Sequence, residues 1–182
     1  MTESFDTYSI TSLLIYFIPH HMLILGIDPG LATTGWGVIE QDKIRLRYVD
    51  HGVFSTKAGL PLPERLLDIS KQLERLLAQL KPARVAVEEL FFAKNTKTAM
   101  LVSQARGVIL ATIAQRGCEL LEFTPLQIKQ ALTGFGRADK KQVEKMTSVI
   151  LGMKQLKGPD DAIDALAAAI CAAHTVKVKS KQ

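Results

Sequence analysis

Hydrophobic positions along this chain follow two rhythms, and the switches between them mark the elements. Leu23 to Asp28 is a continuous apolar run ending on an acid, the pattern of a buried strand. Pro29-Gly30 then turns the chain. Gly35 to Glu40 and Ile44 to Phe54 are the next two strands, and the short link through Asp42-Lys43 favours an antiparallel hairpin. Pro63 to Leu80 changes to helical spacing, with Leu66, Leu67, Leu73, Leu76, Leu77 and Leu80 apolar and a proline in the first turn. Arg84 to Glu88 is a fourth strand that again runs apolar into an acid. Lys97 to Arg116 is a long helix closed by Gly117, and Leu120 to Phe123 is a fifth strand. Three helical stretches follow: Pro125 to Leu132, Lys140 to Lys154, and an alanine-rich Asp160 to His174. This order predicts an α/β fold: a mixed five-stranded sheet, an antiparallel meander continued by parallel crossovers, flanked by helices on both faces.

The first 21 residues read differently. Leu13 to Ile18 is apolar but too short to span a bilayer. The segment before it carries Glu3 and Asp6 and no basic residue, unlike a secretory leader. Met22 stands directly before the first strand. The expected division is an extension without order, or a mis-set start, over 1–21; one domain over 22–176; and a basic tail over 177–182. Cys118 and Cys171 form no CxxC pair and have no histidine cluster beside them, so they read as reduced thiols in packed surroundings. No membrane span is expected, and a cytoplasmic location is. The formal charge is +5, and leaving out Glu3 and Asp6 raises it to +7 for the remainder. A basic domain suits a polyanionic partner, although a merely soluble basic protein has the same charge.

Four carboxylates carry the chemistry. Asp28 and Glu88 each end an apolar strand, where an open sheet presents side chains to its ligand crevice. Each taken alone also reads as an ordinary strand end facing water. Asp161 and Asp164 are three apart and share a helix face. Capping and the helix dipole account well for Asp160 and adequately for Asp161, but less well for Asp164. If the four converge, their mutual repulsion requires a cation. Oxygen donors select Mg²⁺ or Mn²⁺ over zinc, and two such ions about 4 Å apart suit phosphodiester hydrolysis. His20, His21 and His174 lie near the ends and His51 is expected in a loop, so a histidine base has no support.

GIDPG with Gly35 and Gly37, VEELFFAKN, QARG, the Lys129-Gln130 and Gly134–Lys141 segments and DAIDALA, in that order, resemble the RuvC family of crossover junction endodeoxyribonucleases over residues 22–176. The resemblance implies a ribonuclease-H-like fold. It also implies a homodimer that nicks two opposing strands of a four-way DNA junction using Mg²⁺, and a branch-migration motor as partner. The family's acids fall on Asp28, Glu88, Asp161 and Asp164, the third being a position where some relatives carry histidine. Glu88 rather than Glu89 is the strand-end acid, because the alternation runs from Arg84. The Phe91 position stacks on an unpaired base, while Phe92 reads as packing. Lys94 and Lys97 would meet phosphates, and Lys129 and Lys140 mark phosphate contact or transition-state charge. Arg137 and Lys141 extend that basic group, with a solvated helix face as the bland alternative. GFGRADKK also reads weakly as a phosphate-cradling loop before a helix. Arg106 is a DNA contact or an interface residue. The surplus of apolar positions from Met100 to Ile113 suits either a dimer interface or a buried central helix.

Three other functions compete. An actin-like ATPase would share the DPGLATTG turn but needs two large lobes. An RNA-directed nuclease of the same fold would use the same acids, and the VEELFFAKN block argues against it. A non-catalytic DNA-binding module predicts the loss of at least one acid, and none is missing.

Overall fold

The computed structural model describes residues 21–89 and 96–175, with the side chains of Thr96 and Lys97 excepted. Five strands form one sheet: β1 (His21–Asp28), β2 (Thr33–Asp42), β3 (Arg45–Ser55), β4 (Arg84–Glu88) and β5 (Glu119–Phe123). Their spatial order is β3-β2-β1-β4-β5. The first three pair antiparallel, while β4 lies parallel to β1 and β5 parallel to β4. The meander and crossovers expected from element order are therefore present. β1 and β4 are neighbours, the condition for Asp28 and Glu88 to meet. β1 begins at His21, so the last residue of the expected extension belongs to the sheet, opposite Asp42.

Among the described residues, five helices cover the sheet: α1 (Leu62–Leu80), α2 (Thr96–Gln115), α3 (Pro125–Thr133), α4 (Lys140–Ile150) and α5 (Asp160–His174). Strand alternation divides the core. Leu25, Ile27, Val85 and Val87 face α1 and α2, where they pack with Ile69, Leu73, Leu77, Ile109 and Ile113. Ile24 and Ala86 face the other way, into a cluster with Leu166, Ile170 and the alanines of α5. On α1, Ile69 fills the core and Leu67 is exposed, because a 3.6-residue period turns Leu67 outward. α4 stops at Ile150, short of the expected Lys154, because Gly152 takes a positive φ of 68° that ends the helix.

α5 lies closer to the sheet than side chains would allow. A Cβ on Gly26 would sit 1.8 Å from the Ala165 carbonyl oxygen, and one on Gly35 2.0 Å from that of Asp161. A Cβ on Gly37 would meet the Leu166 side chain at 2.6 Å and its backbone nitrogen at 2.8 Å. Gly26 pairs with Gly37, and Asp28 with Gly35. The three glycines thus make a floor on which the alanine-rich helix rests, and that floor brings the start of α5 to the end of β1.

Candidate active site

The parity that sends Leu25 and Ile27 to one face sends Gly26 and Asp28 to the other. Ala86 and Glu88 follow the same rule on β4. Both acids therefore leave the carboxyl ends of adjacent parallel strands on the α5 side. Asp164, one turn into α5, completes the group. Burial pushes the Asp28 carboxyl up to about 8, helped by the charges of Glu88, Asp164 and Asp161 and opposed by Lys140. Burial likewise lifts Glu88 to about 7, with Asp164 adding to it and Lys129 and Lys140 opposing. Asp164 is raised by burial in spite of Lys140 beside it. Three desolvated acids, each raised further by a neighbouring carboxylate, form a site that favours a bound cation. Asp161 stands at the margin: it acts on Asp28 but lines a separate hollow with Gly30, Thr98, Leu101 and Val102.

Lys140 answers the acids from across a groove. Its Nζ lies 3.0 Å from an Asp160 oxygen and 3.4 Å from Asp164 Oδ2. Burial works against its charge, but the two aspartates outweigh this and hold its affinity for the proton above the ordinary value. The groove is lined by Glu88, Asp164, Lys129 and Lys140 on its polar side and by Pro125, Ile128, Val143 and Ala167 on its apolar side. Two capping boxes place the lysines. Thr124 opens α3 with Gln127, and Asp139 opens α4 with Gln142, one residue before Lys140. Replacing Asp139 by alanine is expected to cost about 1 kcal/mol and to slow cleavage by freeing Lys140, readable by urea unfolding and a cleavage time course.

The structure corrects three expectations and gives the other described residues their places. Asp160 does not act as a cap: Pro159 holds the cap position without a side-chain bond, and Asp160 pairs with Lys140 instead. The Gly134–Lys141 segment is no phosphate cradle, because the carboxylate of Asp139 already accepts from the Gln142 N–H at the start of α4. His51 lies in β3, not in a loop; its ring bonds the Tyr48 hydroxyl and the Lys157 carbonyl, both at 2.9 Å. Arg106 turns inward, donating to the Glu88 carbonyl and the Glu122 carboxylate. Arg137 and Lys141 are exposed and do not line the groove. On α2, Ile109 and Ile113 are buried whereas Met100 is 66% exposed, so the helix is half core and half free surface. Both cysteines are free, and burial pushes the Cys171 thiol up to about 11. Phe91, Phe92 and Lys94, and the side chain of Lys97, lie outside the described residues. Sequence reasoning missed Asp160 and the Arg106–Glu122 pair. Only the surplus acid before DAIDALA hinted at the first.

Among the described residues, no three histidine, cysteine or carboxylate side chains are grouped tightly enough to hold an ion as they stand. Asp164 faces Lys140 instead. The donor chemistry nevertheless fits a hard divalent cation, since half-buried carboxylate oxygens supply it. Among the described residues, no helix is long and apolar enough to cross a membrane.

A five-stranded sheet with this order and acids at its central strand ends defines a ribonuclease-H-like nuclease. The family model described as crossover junction endodeoxyribonuclease RuvC matches residues 24–172. A crossover junction endodeoxyribonuclease RuvC of Desulfitobacterium hafniense is 51% identical over 160 residues, 88% of this chain and 97% of that protein. The Thermus thermophilus RuvC structure superposes with a TM-score of 0.76 at 35% identity, covering 84% of this chain and 93% of that one. T. thermophilus RuvC in complex with Holliday junction substrate gives 0.75 at 34% identity, with the same coverage. The chain belongs to the RuvC family of crossover junction endodeoxyribonucleases, phosphodiester hydrolases that depend on a divalent metal.

Proposed function

We propose that this chain resolves Holliday junctions in recombination and repair by nicking two opposing strands symmetrically, with residues 22–176 as the catalytic domain. The observation that carries the reading is the half-burial of Asp28 and Glu88 side by side beneath Asp164, with Glu88 and Asp164 raising the proton affinity of Asp28 and Asp164 raising that of Glu88. Asp28, Glu88, Asp161 and Asp164 would hold two Mg²⁺ ions, for which Mn²⁺ substitutes. Bound there, the metal supplies an activated water and a counter-charge for the leaving oxygen. The protein's own residues do the rest. Buried strand ends hold the carboxylates in fixed directions, and Lys129 and Lys140 meet the scissile phosphate from the far wall of the groove. Lys140, already paired with two aspartates, balances charge at the same place. Phe91 stacks on an unpaired base, and Lys94, Lys97, Arg137 and Lys141 follow the phosphates.

A homodimer sets two such sites against opposing strands. The exposed Met100 and Leu101 near the start of α2 support that surface as the interface. A cytoplasmic location and a branch-migration motor as partner complete the reading. A junction titration across salt concentrations tests the DNA contacts. Lys129→Ala and Lys140→Ala should each lower the salt slope by roughly one. Phe91→Ala should weaken junction binding by about 1–3 kcal/mol with the slope unchanged. Slopes equal to wild type in both lysine variants, or a monomer mass in sedimentation at working concentrations, would contradict the DNA and dimer parts respectively.

A further inference from the structure

We propose that Arg106 is a positioning residue for Glu88, fixing the end of β4 from the face opposite the acids and so setting the direction of the carboxylate. The inference rests on Glu88 being catalytic. Val87 points into the core beneath α1 and α2, so Glu88 emerges on the α5 side. The parallel register between β1 and β4 ends at Ile27–Val87, leaving Glu88 one residue beyond that ladder. On its other side, Glu88 pairs with Phe123, and the Glu89 N–H donates to the Phe123 carbonyl at 2.8 Å. The Glu88 carbonyl accepts from Arg106 Nε at 3.4 Å. A second arm of the same guanidinium is held by the Glu122 carboxylate on β5. Arg106 itself is anchored on α2 between the fully buried Ala105 and Ile109 of that helix.

A peptide group held by both its N–H and its C=O resists rotation, which steadies the Cα–Cβ bond of Glu88 from which the carboxylate extends. Glu122 neutralises the arginine where it stands, so the pair adds no net charge to the acids. The charges that act on Glu88 are those of Asp164, Lys129 and Lys140. Arg106 therefore works through geometry. Two of its arms are committed to protein acceptors, which separates it from a phosphate contact.

The test uses the full chain with Arg106→Gln, Arg106→Lys and, as control, Glu88→Gln. Cleavage is followed in single turnover at saturating junction and Mg²⁺, and junction binding is followed without metal across salt concentrations. Arg106→Gln is expected to cut about 10–100-fold more slowly, with junction Kd and salt slope unchanged. Arg106→Lys should recover only part of the rate, because a point charge cannot span both acceptors. If the glutamine variant does not fold, the lysine variant decides alone. A wild-type rate in both variants overturns the inference. So does weaker binding with a salt slope lower by roughly one, which marks a phosphate contact, or a lower rate and weaker binding together with lost thermal stability. If Glu88→Gln cuts normally, the catalytic reading of Glu88 fails instead. A dead Glu88→Gln beside an unimpaired Arg106→Gln removes the positioning role alone.

Discussion

Asp28→Asn is expected to abolish junction cutting while making the metal-free protein more stable. The two effects share one cause. Asp28 sits at about 8 in the folded protein against 3.8 for the free carboxyl, raised by burial first and by Glu88, Asp164 and Asp161 after it. The folded state thus holds a proton that the unfolded chain releases. Stability is fully present below about pH 4 and falls as pH rises through the window to about 8. Glu88, lifted to about 7, adds a fall of the same sign. Asparagine never ionises and escapes the Asp28 share, on the order of 4–5 kcal/mol near pH 7–8. At roughly 2–4 °C per kcal/mol for a protein of this size, thermal unfolding in chelator should shift upward by about 10 °C or more at pH 8 and hardly at all at pH 4. Divalent metal should stabilise the wild type and leave the variant nearly unmoved. Loss of cutting is expected to be on the order of a thousandfold or more, as when a charge-stabilising group at the reacting centre is removed. A variant that cuts well, or whose melting point in chelator equals wild type at every pH, would contradict this account of the site.

Gly35→Ala should have the second large effect, and it acts through backbone. The added Cβ would stand 2.0 Å from the carbonyl oxygen of Asp161 and 2.9 Å from the Ala162 nitrogen. Neither atom can move aside as a side-chain tip can, so the start of α5 must lift or β2 must bend. Overpacking of this kind costs about 1–3 kcal/mol. The larger consequence falls on catalysis, because Asp161 and Asp164 ride on the displaced end while Asp28, paired with Gly35, stays on the sheet. A misplacement of about 1 Å can cost on the order of a hundredfold in rate. Unfolding and cleavage measured on one preparation should therefore show a rate loss far larger than the unfolded fraction explains. A rate that tracks only the folded fraction would contradict the floor's role.

The sheet was legible because its strands announce themselves. The apolar runs into Asp28 and Glu88 gave both the strand ends and the acids, and short links gave the antiparallel half. Asp164 was legible as the helix acid that capping explains least. What remained hidden depends on contacts between distant segments. Gly26, Gly35 and Gly37 read as motif letters until α5 was seen resting on them. Asp160 looked like a cap because local geometry favours one there, yet Lys140, twenty positions earlier, captures it. Arg106 carried a charge that sequence assigns to a surface, and only the fold supplies Glu122 and the Glu88 carbonyl. His51 was lost in a strand edge whose partner, Lys157, lies far along the chain in the loop before α5.

The most direct test compares a synthetic four-way junction with a linear duplex of the same arms, incubated with wild-type protein and Mg²⁺ and mapped at nucleotide resolution. The account predicts paired, symmetric nicks near the crossover and an intact linear duplex. Equal cutting of the linear duplex would contradict it.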